Sequence, residues 1–329
     1  MRIFVISPAS IIGEMIIKGI SRGFEALGVD VLLYDIREID FDEVKRFSPD
    51  FVFGMDYFHY MQEDVEHFVE ALGVPTVHYF IDDPKGVFAH GGCEDFLTKL
   101  NKRQNKIIFS WDSQFLDDFD GGAFYLSTGI DFELYTSKDL VKMPKNKLLF
   151  AGRPLTDRRE SIIASVIKNF GGILSIYSYE PHFEQSVKNM KEKGFLNEEE
   201  LNTYKTCYKG FLKDEKELAA AYYSSDMILN ITLEQGPASM NSRVLEALAT
   251  GSFLITDYVE DTAKYFDDKK DLIMYKNTQE LIDFIHFYKD NDDAKNQIRG
   301  NAVEKIAKNH TLQSRAKLIL EKLQKDVPA

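Results

Sequence analysis

Short apolar runs alternate along the chain with longer amphipathic ones, and the series occurs twice. Residues 2–6 form a β-rich apolar run, and residues 13–27 carry apolar positions at helical spacing until Gly28 stops them. Residues 29–34, 51–53, 74–80 and 106–109 read as further strands. These runs are nearly continuously apolar, which fits strands of a parallel sheet buried on both faces. After residues 128–131 the chain turns polar, and residues 137–146, with Pro144 and several lysines, read as a linker. A second series follows, with strands at 147–151, 173–177, 208–211, 227–231 and 253–256 and helices at 157–170, 215–223, 239–250, 278–288 and 312–325. The spacing predicts right-handed βαβ units in two α/β halves. Two such sheets facing each other leave a cleft along the carboxyl ends of their strands, so the loops that follow strands are where a ligand is expected.

Composition narrows the partners. At 329 residues and 44% hydrophobic, the chain can bury two separate cores. Forty basic against fifty-three acidic residues give a formal net charge of -13, which repels polyanions, so nucleic acid is not expected as a partner. Cys93 and Cys207 have neither CxxC nor metal-type spacing and read as reduced thiols. Glu14 and Lys18 interrupt the first apolar stretch, and no run approaches the roughly 20 apolar residues of a spanning helix. The expected address is cytoplasmic, with any membrane contact peripheral.

Two strand-following loops carry most of the candidate chemistry. The first leads from residues 229–231 through Gly236-Pro237 into an apolar-striped helix ending at Gly251. Ser239 reads as its N-cap, and Arg243, Glu246 and Thr250 share a face away from the buried Val244, Leu245 and Leu248. Free amides at a helix start suit a diphosphate, Arg243 adds a planar fork of donors, and Glu246 one turn on can accept from ribose hydroxyls. A plain surface helix with an Arg–Glu pair fits the same residues. The second loop, Gly152-Arg153-Pro154, opens a helix that holds Arg158 and Arg159. Arg153 can reach phosphate oxygens, whereas Arg158 and Arg159 can equally pair with Asp157 or Glu160.

These segments carry a resemblance. Ser239-x-Asn241-x-Arg243-x-x-Glu246, then Ala249-Thr250-Gly251-Ser252-Phe253-Leu254-Ile255-Thr256-Asp257 and later His310-Thr311, resemble the CgeB-like, spore-maturation type of glycosyltransferase, whose C-terminal domain is of the group 1 kind. Residues 150–159 are similar too, and Asp82-Asp83-Pro84 resembles a loop of the N-terminal domain often joined to it. The resemblance implies the GT-B architecture, with an acceptor domain over 1–135, a donor domain over 146–310 and a helix in 311–329 that crosses back to the first. It further implies a nucleotide-sugar donor, most often UDP-linked, and no tightly bound cofactor or metal. The ribose would rest on Glu246 and the base near the backbone of Gly210 and Phe211, with Arg153, Arg158, Ser239, Asn241 and Arg243 around the diphosphate. Related retaining enzymes carry a glutamate where this chain has Ala238, which leaves the stereochemical outcome open.

An inverting enzyme needs a base for the acceptor hydroxyl from the first half. Asp83 is the leading candidate, with Asp82, Asp56 and His59 behind it, and the aromatic loop 55–61 can stack on a sugar or peptide acceptor. Expected partners are a nucleotide-sugar and a protein or glycan acceptor. The same residues also admit a GT-B sugar-nucleotide epimerase, or an inactive nucleotide-sugar binder that acts as a partner protein.

Overall fold

The computed structural model describes residues 1–9, 11–55, 62–81, 83–84, 94–137, 139, 141–233 and 236–326. The first half runs β1 (Arg2–Ser7), α1 (Ile11–Ala26), β2 (Asp30–Asp35), α2 (Phe41–Phe47), β3 (Phe51–Met55), α3 (Glu63–Leu72), β4 (Thr76–Phe80), α4 (Glu94–Lys102), β5 (Lys106–Ser110), β6 (Phe124–Tyr125) and α5 (Phe132–Thr136). The second runs β7 (Asn146–Ala151), α6 (Asp157–Phe170), β8 (Leu174–Tyr177), α7 (Glu180–Glu192), α8 (Glu198–Thr206), β9 (Tyr208–Gly210), α9 (Glu215–Tyr223), β10 (Ser225–Asn230), α10 (Ser242–Ala249), β11 (Leu254–Asp257) and α11 (Glu260–Tyr265). It ends with β12 (Ile273–Tyr275), α12 (Thr278–Tyr288), α13 (Asp292–Asn296), α14 (Val303–Asn309) and α15 (Leu312–Asp326).

Each half builds one parallel six-stranded sheet, ordered β2-β1-β3-β4-β5-β6 and β12-β11-β10-β7-β8-β9. The second order is that of a dinucleotide-binding fold, with its reversal between β7 and β10. At that reversal the flanking connections leave to opposite sides, so a crevice opens above the two strand ends. β7, β8 and β10 are buried almost throughout, and Leu148, Phe150, Ile176 and Leu229 form the core beneath the crevice.

The halves are tied at two adjacent chain crossings. Ile130 pairs with Thr311 in a short parallel bridge, with Ile130 N donating to His310 O and Leu312 N donating to Ile130 O. The polar stretch 137–146 suggested a later crossover, but Ile130 and Tyr135 already belong to the second core. Apolar contact decides where the halves meet, and polarity alone marked only the exposed part. Helix α15 packs on α1, with Leu312, Ala316, Ile319, Leu320 and Leu323 inside the first core, each Leu or Ile contributing about 1.5–3 kcal/mol by burial. The approach is close. A Cβ on Gly23 would stand 2.9 Å from the Gln313 Cα, and one on Gly19 would collide with Leu312.

Arg315 locks this junction. Fully inside the protein, its guanidinium donates to the carbonyls of Ser127, Thr128 and Asn309, to Ser127 Oγ and to His310 Nδ1. Because an arginine can only donate, His310 Nδ1 accepts and the imidazole is neutral with its proton on Nε2. Burial, and then the adjacent Arg315 charge, push its pKa down from 6.5 to about 3.

A depressed folded-state pKa means that the unfolded chain binds the extra proton first. The His310 contribution is therefore complete above pH 6.5 and is lost as pH falls from there toward about 3. In urea denaturation, His310→Gln should flatten the loss of stability between pH 6.5 and 4.5 by up to about 1.4 kcal/mol per pH unit. An unchanged slope contradicts a buried neutral histidine at the hinge.

Candidate active site

The crevice at the sheet reversal is walled by the loop after β7 and the loop after β10. At the end of β7, Gly152 has φ +149 and donates its N–H to Tyr177 O. A side chain on Gly152 would put a Cβ 3.2 Å from Arg243 Nη2, so glycine is what lets the Arg243 guanidinium lie across the strand end and donate from Nε to Ala151 O. Thr156, the N-cap of α6, sits at φ +120, a backbone conformation that a β-branched residue adopts at a cost of about 1–3 kcal/mol. Its Oγ1 accepts from Arg159 N, which starts the helix where both following arginines turn inward.

Arg158 and Arg159 do not pair with their neighbours Asp157 and Glu160, as local spacing allowed. Lys193 takes both of those carboxylates at 2.6 Å. Arg158 instead reaches across to Asp257 Oδ2 at 2.7 Å and Thr232 O at 2.9 Å, and Asp257 also accepts from Thr232 N and Oγ1. Arg159 is buried, with its guanidinium on Ile231 O and on Arg153 O, at 2.7 Å for the latter. Arg153 itself is exposed at the lip.

Four guanidinium groups thus converge on one crevice. Burial first, and then Arg243, Arg153 and Arg158, pull the Arg159 pKa down from 12.5 to about 9, with Asp257 opposing them. Among the described residues, Asp257, engaged by Arg158 and Thr232, and Glu246, beside Arg243, are the carboxylates set against these four arginines, so positive charge is in excess there. In a partly buried site such a surplus favours an anion with several oxygens.

On the other wall the helix begins later than its sequence suggested. Asn241, not Ser239, is the N-cap of α10, with Oδ1 accepting from Val244 N. Both residue types cap well, but Asn241 also donates from Nδ2 to Asn230 Oδ1, which fixes it to β10. Ser239 sits upstream in the connecting loop, where its hydroxyl donates to Gly236 O and its N–H, with that of Ala238, donates to Asp112 Oδ2. Those two amides are occupied by the protein itself.

One turn into α10, Glu246 is buried, and its Oε2 has no hydrogen-bond partner. Burial raises its pKa, opposed by the Arg243 charge and by the nearby Ser242 and Tyr222 hydroxyls. At the far end, Gly210 closes β9 with φ +108, and its carbonyl accepts from Ser178 N. Phe211 follows with 58% exposure, edge-on to Tyr179, which is 53% exposed just past β8. Two large rings left in water beside a crevice form a stacking surface.

Of the first-half candidates, Asp83 lies just past β4 and Asp56, His59 and Asp82 lie outside the described residues, as does most of the aromatic loop 55–61. Cys93 lies outside them too, while Cys207 is buried and its thiol is pushed up to about 11, which leaves it unreactive. Among the described residues there is no group of three or more His, Cys, Asp or Glu side chains placed to hold a metal, and no helix long and apolar enough to cross a membrane. Sequence reasoning missed Asp257, Tyr179 and Asp112. Asp257 ends β11, and Tyr179 and Asp112 each stand two residues past a strand, positions that could have flagged all three. Asp112 carries no local motif.

Residues 169–321 match a protein family described as glycosyl transferase-like. No curated protein sequence matches the chain. Solved structures do. A glycosyltransferase from Rickettsia africae ESF-5 is 12% identical, with 98% of each chain covered and a TM-score of 0.69. HepE of Anabaena, in complex with UDP-glucose, is 11% identical over 99% of this chain and 100% of that one, with a TM-score of 0.67. A sucrose-phosphate synthase from Thermosynechococcus elongatus is 11% identical over 99% and 98%, with a TM-score of 0.66. At such identities the likeness carries the fold, and this chain has the two-sheet GT-B architecture with a glycosyl transferase-like segment across most of its second half.

If the converging arginines await a multivalent anion, inorganic pyrophosphate should raise the melting temperature by several degrees at concentrations where sulfate of equal ionic strength does little. Arg153→Ala should shrink that rise. No rise in the unsubstituted protein contradicts an anion site at the reversal.

Proposed function

We propose that this chain is a glycosyltransferase that moves a sugar from a UDP-linked donor to a protein or glycan acceptor. The observation that carries the reading is the excess of guanidinium charge among the described residues at the strand reversal of the second sheet, beside the start of α10. A departing nucleoside diphosphate accumulates negative charge as the bond from sugar to phosphate breaks, and fixed cations and dipoles placed where that charge develops lower the barrier without reorganising.

The spacing of the loops supports a donor of this length. From the loop after β10 to the loop after β9 is three inter-strand steps of about 4.8 Å, or about 14 Å. That distance suits an extended nucleoside diphosphate with its phosphates beside Arg153, Arg158 and Arg243 and its base near Gly210 and Phe211. Glu246 lies on the α10 face behind Arg243, where its carboxylate can accept from ribose hydroxyls. The acceptor then enters from the first sheet, with Asp83 our candidate for taking its proton. The CgeB-like type is part of this reading and rests on the motif residues from Ser239 to Asp257 together with Asp82-Asp83-Pro84. The reading also keeps the cytoplasmic address inferred from composition.

Screened against UDP, GDP, dTDP and CMP, the protein should show its largest thermal shift with UDP, since a ligand that binds only the folded state stabilises it. Arg243→Ala should abolish that shift and leave the unliganded melting temperature within a few degrees. Glu246→Ala should weaken UDP about tenfold while leaving pyrophosphate binding intact. Equal shifts with all four nucleotides, or a full UDP shift in Arg243→Ala, would contradict the assignment.

A further inference from the structure

The loop that leads into α10 is held by a residue from the other half of the molecule. Asp112 follows β5 of the first sheet and is completely buried. Its Oδ1 accepts from Gln114 N at 2.8 Å, which starts a 3-10 turn at Ser113–Asp118. Its Oδ2 crosses the cleft and accepts from Ala238 N at 3.2 Å and Ser239 N at 3.0 Å. The contact is close-fitting, because a Cβ on Gly236 would stand 3.4 Å from Oδ2 and collide with Ser239 Oγ.

The second half answers with a carboxylate of its own. Asp261, at the start of α11, accepts from Ser113 N at 3.1 Å through Oδ2 and from Lys264 Nζ at 2.7 Å through Oδ1. Lys264 also donates to Ser113 Oγ and lies over the Tyr125 ring, which stacks on Tyr265. The Asp261 N–H donates to Ala238 O, so both backbone groups of Ala238 are fixed by this exchange. Each half therefore offers an aspartate to the other's backbone, with the donor loop between them.

We propose that Asp112 is a positioning residue for the donor site: from the first half it fixes the 236–240 loop, and so sets where Asn241, Arg243 and Glu246 stand on α10. This rests on the donor reading given above. The physical reason is that, apart from Asp112, Ser239 N has only the tight-turn bond to Gly236 O at 3.2 Å, whereas paired hydrogen bonds from both amides to one carboxylate oxygen in a buried contact hold the loop to the first half. Burial raises the Asp112 pKa, the nearby Asp261 charge adds to that, and the backbone amides of Gln114, Ala238 and Ser239 oppose it. The donor face of the second half is accordingly complete only when the first half is docked on it.

The test compares Asp112→Ala and Asp112→Asn with the unsubstituted full chain by calorimetric titration with UDP and by amide hydrogen exchange over residues 236–240 without ligand. Asp112→Ala should weaken UDP about tenfold and speed exchange in that loop at least tenfold. Asp112→Asn, which keeps a side-chain oxygen acceptor, should recover part of both effects, an outcome that a general loss of folding would not produce. UDP affinity within twofold of the unsubstituted protein despite faster exchange overturns the proposal. Tighter UDP binding also overturns it, by making Asp112 an internal competitor for the donor. If the unsubstituted protein binds no UDP, the donor reading fails on its own, and unchanged loop exchange in both variants would separately overturn the role of Asp112.

Discussion

Gathering several guanidinium groups in one partly buried crevice is the constraint around which the second half is built. Left in water, four arginines would disperse. Here Arg159 is drawn under the sheet end by Ile231 O and Arg153 O, Arg158 is tied to Asp257, and Arg243 is laid over the end of β7 where Gly152 leaves room. Arg158, Arg159 and Arg243 are held by carbonyls and by Asp257, and the neighbouring guanidinium charges still depress Arg159. Carbonyl oxygens hold these side chains in place without cancelling their charge. That combination suits a site that must be rigid and still receive an anion.

The scaffold serves that end. The reversal between β7 and β10 opens the crevice above strands that are buried almost throughout. The first half is joined through two neighbouring crossings at Ile130 and Thr311 and through α15, all clasped by Arg315. The Asp112 and Asp261 exchange joins the halves at a further place, beside the loop that leads into α10.

Much of the fold was legible in the sequence, and the exceptions have physical causes. The helices at 157–170, 215–223 and 278–288 stand where the spacing placed them, because a clear apolar stripe coincides with Thr156, Asp214 and Asn277 as caps. Helices α7 and α8 went unread, since they are strongly charged and bury only a few residues each. The cap of α10 fell on Asn241 rather than Ser239, a choice between two good capping residues that the contact with Asn230 decides. Of the site, the two arginine loops and Glu246 were visible because they follow strands. Asp112 was not, because its meaning depends on a loop 127 positions away, and no local pattern encodes that pairing.

The most direct measurement is a crystal structure of the full chain with UDP bound. The account predicts both phosphates within about 4 Å of the Arg153 and Arg243 guanidinium groups at the start of α10, with ribose hydroxyls on Glu246. A diphosphate seated away from those arginines, or a bound state in which one of the protein's own carboxylates neutralises them, would contradict it.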